Sequence, residues 1–143
     1  MKISIGNDHA GTLYKKEIIN ILKKEGHSII NNGTDTAESV DYPDQIHPVS
    51  KQVSNKEVDM GIIICGSGNG ANMTANKHNN IRSALCWNSE IAELSRTHNN
   101  ANILSIPSRF VSLDEAKEIV KKFINTEFEG GRHLKRINKI PIQ

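Results

Sequence analysis

Short apolar runs alternate with amphipathic segments along this chain, and that alternation limits the possible folds more than any other feature of the sequence. Five runs have the length and composition of strands; they are KISIG (2–6), HSIIN (27–31), MGIIIC (60–65), IRSALCW (81–87) and NILSI (102–106). The stretches between and after them suit helices. Strands and helices in this alternation form a parallel sheet covered on both faces. The expected fold is α/β: a single Rossmann-like three-layer α/β/α sandwich with a five-stranded parallel sheet, over residues 1–143.

Signals at the helix ends support this division. Helices are expected over 13–25, about 45–55, from the glycine-rich turn through about 77, 89–98 and 113–124. Gly26 stands where a glycine is preferred just after a helix. Asn88 is a candidate N-cap, and Ser112 with Glu115 has the spacing of a capping box.

Composition and charge exclude several classes of protein. A chain of 143 residues fits one domain, and its apolar runs are far shorter than the roughly 20 residues of a membrane helix. The N-terminal strand is too short for a secretory signal, which predicts a cytoplasmic protein. The net charge is +2, but residues 130–143 hold four basic and no acidic side chains. The slightly acidic remainder argues against nucleic-acid binding.

Several polar residues follow the predicted strands. Ligands bind at the carboxyl ends of the strands in an open parallel sheet. We expect one group of residues at that edge: Asp8 and His9 after the first strand, Cys65 to Gly70 after the third, His98 and Asn99 at the end of the helix after the fourth, and Ser108 and Arg109 after the fifth. Their convergence indicates a binding site more strongly than any single motif.

The glycine turn CGSGNG (65–70) is compatible with several kinds of site. Gly66, Gly68 and Ala71 match the dinucleotide pattern G-x-G-x-x-G/A, but the turn follows the third strand, and no acidic residue for a ribose ends the next one. Ala71 also stands where a C-x5-R phosphatase loop has arginine, and no Walker lysine is present. What remains is a cysteine beside backbone N–H groups that suit an anion.

The position of Cys65 alone allows two interpretations. As a strand residue it could belong to the core, as we expect for Cys86. As a residue at a helix start it should have a pKa below the usual value of about 8.5. The 21-residue spacing of the two cysteines matches no zinc module, and a reducing compartment disfavours a disulfide.

A thiolate beside an anion-binding turn suits one reaction in particular. Removal of a proton next to a carbonyl needs a base and donors for the developing enediolate oxygen. Aldose–ketose isomerisation is such a reaction and requires no metal. Nucleophilic catalysis by Cys65 with a nearby histidine such as His98 stays open.

The basic tail has a functional and a simpler interpretation. Arg132 and Arg136 are four residues apart, so one helical turn would present both guanidiniums to a phosphate. A solvated tail would have the same composition, and His98 could be a surface histidine near a helix dipole. The other histidines show no comparable pattern and are treated as surface or structural residues: His27, His47, His78 and His133.

Six motifs together resemble one family. GNDHAG, DYPD, CGSGNG, ANKHNNIR, SRTHNNAN and FEGGRHLKRI occur in order over essentially the whole chain. In this combination they resemble the type B ribose-5-phosphate isomerases, within a wider group that includes galactose-6-phosphate and allose-6-phosphate isomerases. The motifs are highly specific for the family and less so for the sugar.

The resemblance implies a role for each candidate residue. Cys65 would be the base that moves a proton between C1 and C2, and His98 would assist opening of the furanose ring. The implied anion hole for the enediolate consists of Ser67 and the backbone of Gly66, Gly68, Asn69 and Gly70. The remaining implied contacts are with sugar hydroxyls, from Asp8, Tyr42 and Asn99, and with the phosphate, from His9, Arg109, Arg132 and Arg136.

The resemblance also implies a phosphosugar substrate, no metal and no cofactor. Family members are dimers whose sites combine residues of two subunits. Residues 125–143 are therefore expected to form a C-terminal extension that packs at a dimer interface, and pairing of dimers into tetramers stays open.

Two departures from the family pattern bear on the chemistry. Ser67 replaces a threonine common in the family and keeps its hydroxyl. One branch lacks the cysteine and uses a glutamate six positions later as its base. Here that position is Ala71 while Cys65 is present, which indicates the cysteine-dependent branch. The alternatives are an isomerase of a 6-phosphohexose and a non-catalytic phosphosugar-binding subunit.

Overall fold

All five predicted strands occur in one sheet of the computed structural model, which describes residues 1–142. They are β1 (Lys2–Asn7), β2 (Ser28–Asn31), β3 (Met60–Cys65), β4 (Ser83–Leu85) and β5 (Ile103–Pro107). Their order in the sheet is β2-β1-β3-β5-β4, and every neighbouring pair is parallel. The predicted five-stranded parallel sheet is confirmed.

Helices cover both faces of the sheet. They are α1 (Thr12–Lys24), α2 (Tyr42–Ser54), α3 (Asn69–Ala75), α4 (Ser89–Thr97), α5 (Leu113–Asn125) and α6 (Arg132–Ile137), with a short 3-10 turn at His9–Gly11. One buried apolar cluster joins α1, α4 and α5 to one face, and a second joins α2 and α3 to the other. Each helix is too short or too polar to cross a membrane within residues 1–142.

The central strands are apolar on both sides because both faces are covered. Ile62 and Ile64 belong to the cluster under α1, α4 and α5, whereas Ile63 belongs to the cluster under α2 and α3. All three side chains are fully buried. Cys86 is also fully buried in the first cluster, as its position in the sequence predicted.

Most helix ends match the predicted signals. Gly26 has a φ of +86°, which a glycine adopts without strain after a helix. The Asn88 side chain accepts a hydrogen bond from the backbone N–H of Ile91. Ser112 and Glu115 cap each other reciprocally at the start of α5, in the predicted capping box.

Two predicted boundaries are wrong. Helix α2 begins at Tyr42 rather than near residue 45, because Pro43 lies in its first turn, where the missing N–H breaks no hydrogen bond. The fourth strand contains three residues instead of seven. It is an edge strand that pairs with β5 alone, and only Ser83, Ala84 and Leu85 enter that ladder.

The chain beyond α5 packs back onto its own body. The buried guanidinium of Arg96 donates to the backbone oxygens of Thr126 and Ala101. The backbone N–H of Glu129 donates to the Thr97 oxygen, 3.1 Å away. These bonds fix the start of α6 beside the end of α4.

The capping box gives a direct test of the helix boundary. We expect Ser112→Ala to lower the free energy of unfolding by about 1 kcal/mol, because the N–H of Glu115 loses its acceptor. Urea unfolding followed by circular dichroism measures the difference. Ser39→Ala, at an exposed loop serine, is the matched control and should leave the midpoint unchanged. An equal effect of both substitutions would contradict the assigned cap.

Candidate active site

The carboxyl ends of β1, β3 and β5 lie side by side and are joined by hydrogen bonds. The backbone N–H of Asp8 donates to the Ile64 oxygen. The buried hydroxyl of Ser108 contacts two backbone oxygens, those of Ala10 at 2.9 Å and Cys65 at 3.1 Å. This network holds the residues after the three strands in fixed relative positions.

Cys65 and Asp8 form a buried hydrogen-bonded pair at this edge. The thiol donates to Asp8 Oδ2 over 2.9 Å, while Oδ1 accepts from the backbone N–H of Ala10. Cys65 is 8% exposed and Asp8 is 6% exposed. The two residues are 57 positions apart in sequence, and the pairing of β1 with β3 brings them together.

The environment of Cys65 raises the pKa of its thiol to about 11. Burial is the largest cause, followed by the hydrogen bond to Asp8 and the negative charge of its carboxylate. The backbone N–H groups of Gly66 and Gly68 act in the opposite direction and are outweighed. The predicted lowering of the Cys65 pKa is therefore wrong, because the sequence motif revealed neither the burial of the thiol nor the neighbouring carboxylate.

The glycine turn follows Cys65 tightly. Gly68 has a φ of +75°, and a methyl group there would approach Leu85 Cδ1 to 2.5 Å, so only glycine fits. The Ser105 hydroxyl donates to the Gly68 oxygen from β5. Ser67 is exposed at the tip of the turn, where its Oγ accepts from the backbone N–H of Asn69.

Three further candidates surround the turn. A methyl group at Gly70 would come within 2.6 Å of Tyr42 Cζ, and one at Gly66 within 3.3 Å of Arg109 Nη1, so both side chains lie against the turn. His9 Nδ1 accepts from the backbone N–H of Val40, which leaves Nε2 as the donor of the neutral ring. We call this group the carboxyl-edge cluster; its members are Asp8, His9, Tyr42, Cys65, residues 66–70 and Arg109.

His98 and Asn99 lie at the opposite edge of the sheet, where the strands begin, which we call the amino edge. The prediction that all candidate residues lie at one edge is therefore wrong for a single chain. Helix α4 returns the chain from the carboxyl edge to the amino edge, and His98 is its C-cap. Arg82, just before β4, donates to the Asn99 oxygen at that edge. The strand β5, which spans the sheet between the two edges, has five residues and is about 13 Å long.

The two tail arginines also lie near the amino edge. Arg132 and Arg136 are exposed on one face of α6, while His133 and Ile137 on its other face are buried against the body. The pair on one helical turn was predicted and is confirmed. We call His98, Asn99, Arg132 and Arg136 the amino-edge cluster.

Sequence analysis missed the contact that anchors this cluster. The His133 ring stacks on the His98 ring, with centroids 4.3 Å apart and planes 13° apart. Burial lowers the pKa of His133, the neighbouring His98, Arg132 and Arg136 lower it further, and Glu129 acts in the opposite direction. A second unforeseen pair joins α2 to the turn after α3, where His47 Nδ1 lies 2.8 Å from His78 Nε2. Neither pair has a local sequence signal.

Comparison with known proteins gives the family. The family described as Ribose/Galactose Isomerase matches residues 3–140, nearly the whole chain. The chain belongs to this family. The predicted resemblance is thus confirmed.

The similarity to individual relatives extends over nearly the whole length of both proteins. Ribose-5-phosphate isomerase B of Escherichia coli is 42% identical, over 97% of this chain and 93% of that protein. The solved structure of Clostridium thermocellum ribose-5-phosphate isomerase B is 50% identical with a TM-score of 0.96, covering 98% of this chain and 95% of that one. The Mycoplasma genitalium ribose-5-phosphate isomerase B structure, with bound ribulose-5-phosphate, is 41% identical with a TM-score of 0.94, covering 97% of this chain and 93% of that one.

The Cys65–Asp8 pair makes a measurable prediction about thiol reactivity. Alkylation requires the thiolate, so in the wild type its rate at Cys65 should rise with pH up to about 11. We expect Asp8→Asn to shift this profile to lower pH, because the acceptor carboxylate and its charge are both removed. Iodoacetamide labelling with peptide mass spectrometry at several pH values measures the rate. Asp114→Asn, at an exposed carboxylate, should leave the profile unchanged; an unshifted profile in Asp8→Asn would contradict the pair.

Proposed function

We propose that this chain is an aldose–ketose isomerase that interconverts D-ribose 5-phosphate and D-ribulose 5-phosphate through an enediolate, without metal or cofactor. The observation that carries the proposal is the family match, combined with the pairing of Cys65 and Asp8 beside the glycine turn. The bound ribulose-5-phosphate in the Mycoplasma genitalium relative supports the choice of a pentose.

The base in this proposal is the Cys65–Asp8 pair rather than an isolated thiolate. The pair holds one proton and one negative charge, and at rest the proton is on sulfur. Transfer of that proton to Asp8 gives a thiolate without a change in net charge, so no charge has to enter the buried site. The thiolate then removes the proton from C2 of the open-chain aldose and returns it to C1 of the enediolate, while the O2 hydroxyl proton passes to O1, so that C2 becomes the carbonyl and C1 the alcohol.

The glycine turn would stabilise the enediolate. Backbone N–H groups of residues 66–70 are fixed donors, and the exposed Ser67 hydroxyl adds another. The buried Asp8, once protonated, can donate to a sugar hydroxyl. Tyr42, which lies against Gly70, is the second proposed hydroxyl contact at this edge.

The remaining roles require a second copy of the chain. His98, for ring opening, and Asn99, for a sugar hydroxyl, belong to the amino-edge cluster and lie too far from Cys65 of the same chain. In a two-fold dimer, the amino-edge cluster of one subunit can meet the carboxyl-edge cluster of its partner, and the same contact occurs twice. Residues 125–143 would then form part of the interface.

The same arrangement divides the phosphate contacts between subunits. His9 and Arg109 of one subunit and the Arg132–Arg136 pair of the other would hold the phosphate between them. Paired guanidiniums bind phosphate oxygens through several charged hydrogen bonds. The proposed compartment is the cytoplasm, where Cys65 and Cys86 stay free thiols as they are here.

A substrate panel with Cys65→Ala tests the reaction. We expect the wild type in EDTA to convert ribose 5-phosphate to ribulose 5-phosphate faster than it isomerises allose or galactose 6-phosphate. Loss of the base should lower kcat by a factor of about 100 or more. Cys86→Ala, at the other buried cysteine, whose thiol lies in the core beside Ser95 of α4, is the matched control. No turnover by the wild type would overturn the function, and full activity of Cys65→Ala would overturn the assigned base.

Mixing two inactive variants tests the shared site. Neither Cys65→Ala nor His98→Asn should be active alone, but a mixed dimer has one site with both residues intact. After subunit exchange at equal amounts, we expect about a quarter of wild-type activity, because half of the dimers are mixed and each has one intact site. A mixture of His98→Asn with the double variant Cys65→Ala/His98→Asn should stay inactive, because neither subunit supplies His98. No gain of activity in the first mixture would show that the site is built within one chain.

A further inference from the structure

Three potential metal ligands converge at the amino edge of the sheet. His98, Glu129 and His133 each offer one ligand atom, and these atoms all lie within 4.8 Å of one another. Neither Glu129 nor His133 has a role in the proposed reaction. The cluster combines residues about 30 positions apart, which is why the cysteine and histidine spacings in the sequence gave no sign of it.

The donor atoms of the cluster are available. The two imidazoles stack rather than bond to each other, and within residues 1–142 neither ring makes a hydrogen bond. The nearest polar contact is between His133 Nε2 and Glu129 Oε2, at 3.7 Å. His133 is buried, His98 is half-buried and Glu129 is exposed, so an ion can enter from the solvent on the Glu129 side.

The backbone holds the three ligands on anchored segments. The N–H of His98 donates to the Leu94 oxygen at the end of α4, and that of His133 donates to the Gly130 oxygen at the start of α6. Glu129 is fixed to α4 by its bond to Thr97. Ligation requires the two imidazoles to tilt out of their stacked arrangement, because each ring must aim an in-plane nitrogen lone pair at the ion. The ligand atoms must also close from separations of up to 4.8 Å to the roughly 3.3 Å between two ligands of a tetrahedral zinc ion.

The ligand set favours zinc. Two imidazoles and one carboxylate are a common three-residue set for Zn²⁺, with a fourth position left for water. Zinc has no preferred geometry from d electrons, so the final arrangement of the ligands can be set by the rotations open to these side chains. We propose that His98, Glu129 and His133 bind one Zn²⁺ ion per chain.

Zinc at this position would act as a reversible inhibitor. The nitrogen lone pair of His98 that binds the metal is no longer available to exchange a proton with the sugar ring. This consequence rests on the proposed function, because it requires His98 in the reaction. The binding of zinc does not depend on the proposed function, and it is measured without substrate.

Direct binding is tested with the full chain after removal of metals. Zn²⁺ is titrated against a chromogenic chelator, and Co²⁺ is used as a spectroscopic probe of the ligands. We expect one site per chain and visible Co²⁺ bands without a thiolate charge-transfer band, because no cysteine belongs to the cluster. Glu129→Gln should weaken Zn²⁺ binding at least about 10-fold, since even loss of an outer-sphere partner has effects of that size.

Matched variants make the result decisive. Glu127→Gln changes an exposed carboxylate two residues away and should bind Zn²⁺ like the wild type. His133→Asn should also lose the site; because His133 is buried, the exposed Glu129 variant keeps the test independent of folding. Absence of stoichiometric Zn²⁺ binding, equal binding by Glu129→Gln, or a thiolate band with Co²⁺ would each overturn the proposed site.

The inhibition is tested separately by isomerase assays with and without Zn²⁺. We expect Zn²⁺ to inhibit the wild type and Glu127→Gln, and EDTA to restore both. Glu129→Gln should have wild-type activity in EDTA and require at least about 10-fold more Zn²⁺ for inhibition. Equal inhibition of all three proteins would place the inhibitory ion elsewhere and overturn this part of the proposal. Lack of activity in EDTA would instead count against the isomerase function alone.

Discussion

All five strands run in the same direction, and the location of every functional residue depends on that constraint. A parallel strand can be followed by another only if a helix returns the chain to the starting edge. Residues after strands therefore lie at the carboxyl edge, and residues at the ends of the return helices lie at the amino edge. Cys65 and His98 belong to these two classes. No side-chain rotation can bring them together in one chain, which is why the proposed reaction takes one of them from a second copy.

The neighbouring ends of β1 and β3 create the most unusual local environment. They place a thiol and a carboxylate in a space that water hardly reaches, where the thiol donates a hydrogen bond to the carboxylate. Burial raises the pKa of Cys65 more than the adjacent N–H groups lower it. In the proposed reaction the thiolate forms only when this proton moves to Asp8, which would keep the resting cysteine unreactive toward other electrophiles.

The C-terminal segment packs beside the end of α4 and supplies the residues that contact His98. Arg96 joins the end of α4 to the chain after α5, and this connection brings His133 and Glu129 to His98. The same contacts present Arg132 and Arg136 to the outside. One structural element thus supports both the proposed phosphate contacts in the partner subunit and the proposed zinc site.

The sequence by itself determined the elements, because apolar periodicity and helix caps are local properties. It predicted five strands in a parallel sheet, the capping box at Ser112 and the burial of Cys86. The motifs also determined the family and the residues that could bind a phosphosugar. The tertiary structure decided which of these residues meet. The acceptor of the Cys65 thiol and the stacking of His133 on His98 depend on the packing of distant segments, which no local pattern encodes. The separation of His98 from Cys65 follows instead from the parallel topology, because α4 returns the chain to the opposite edge.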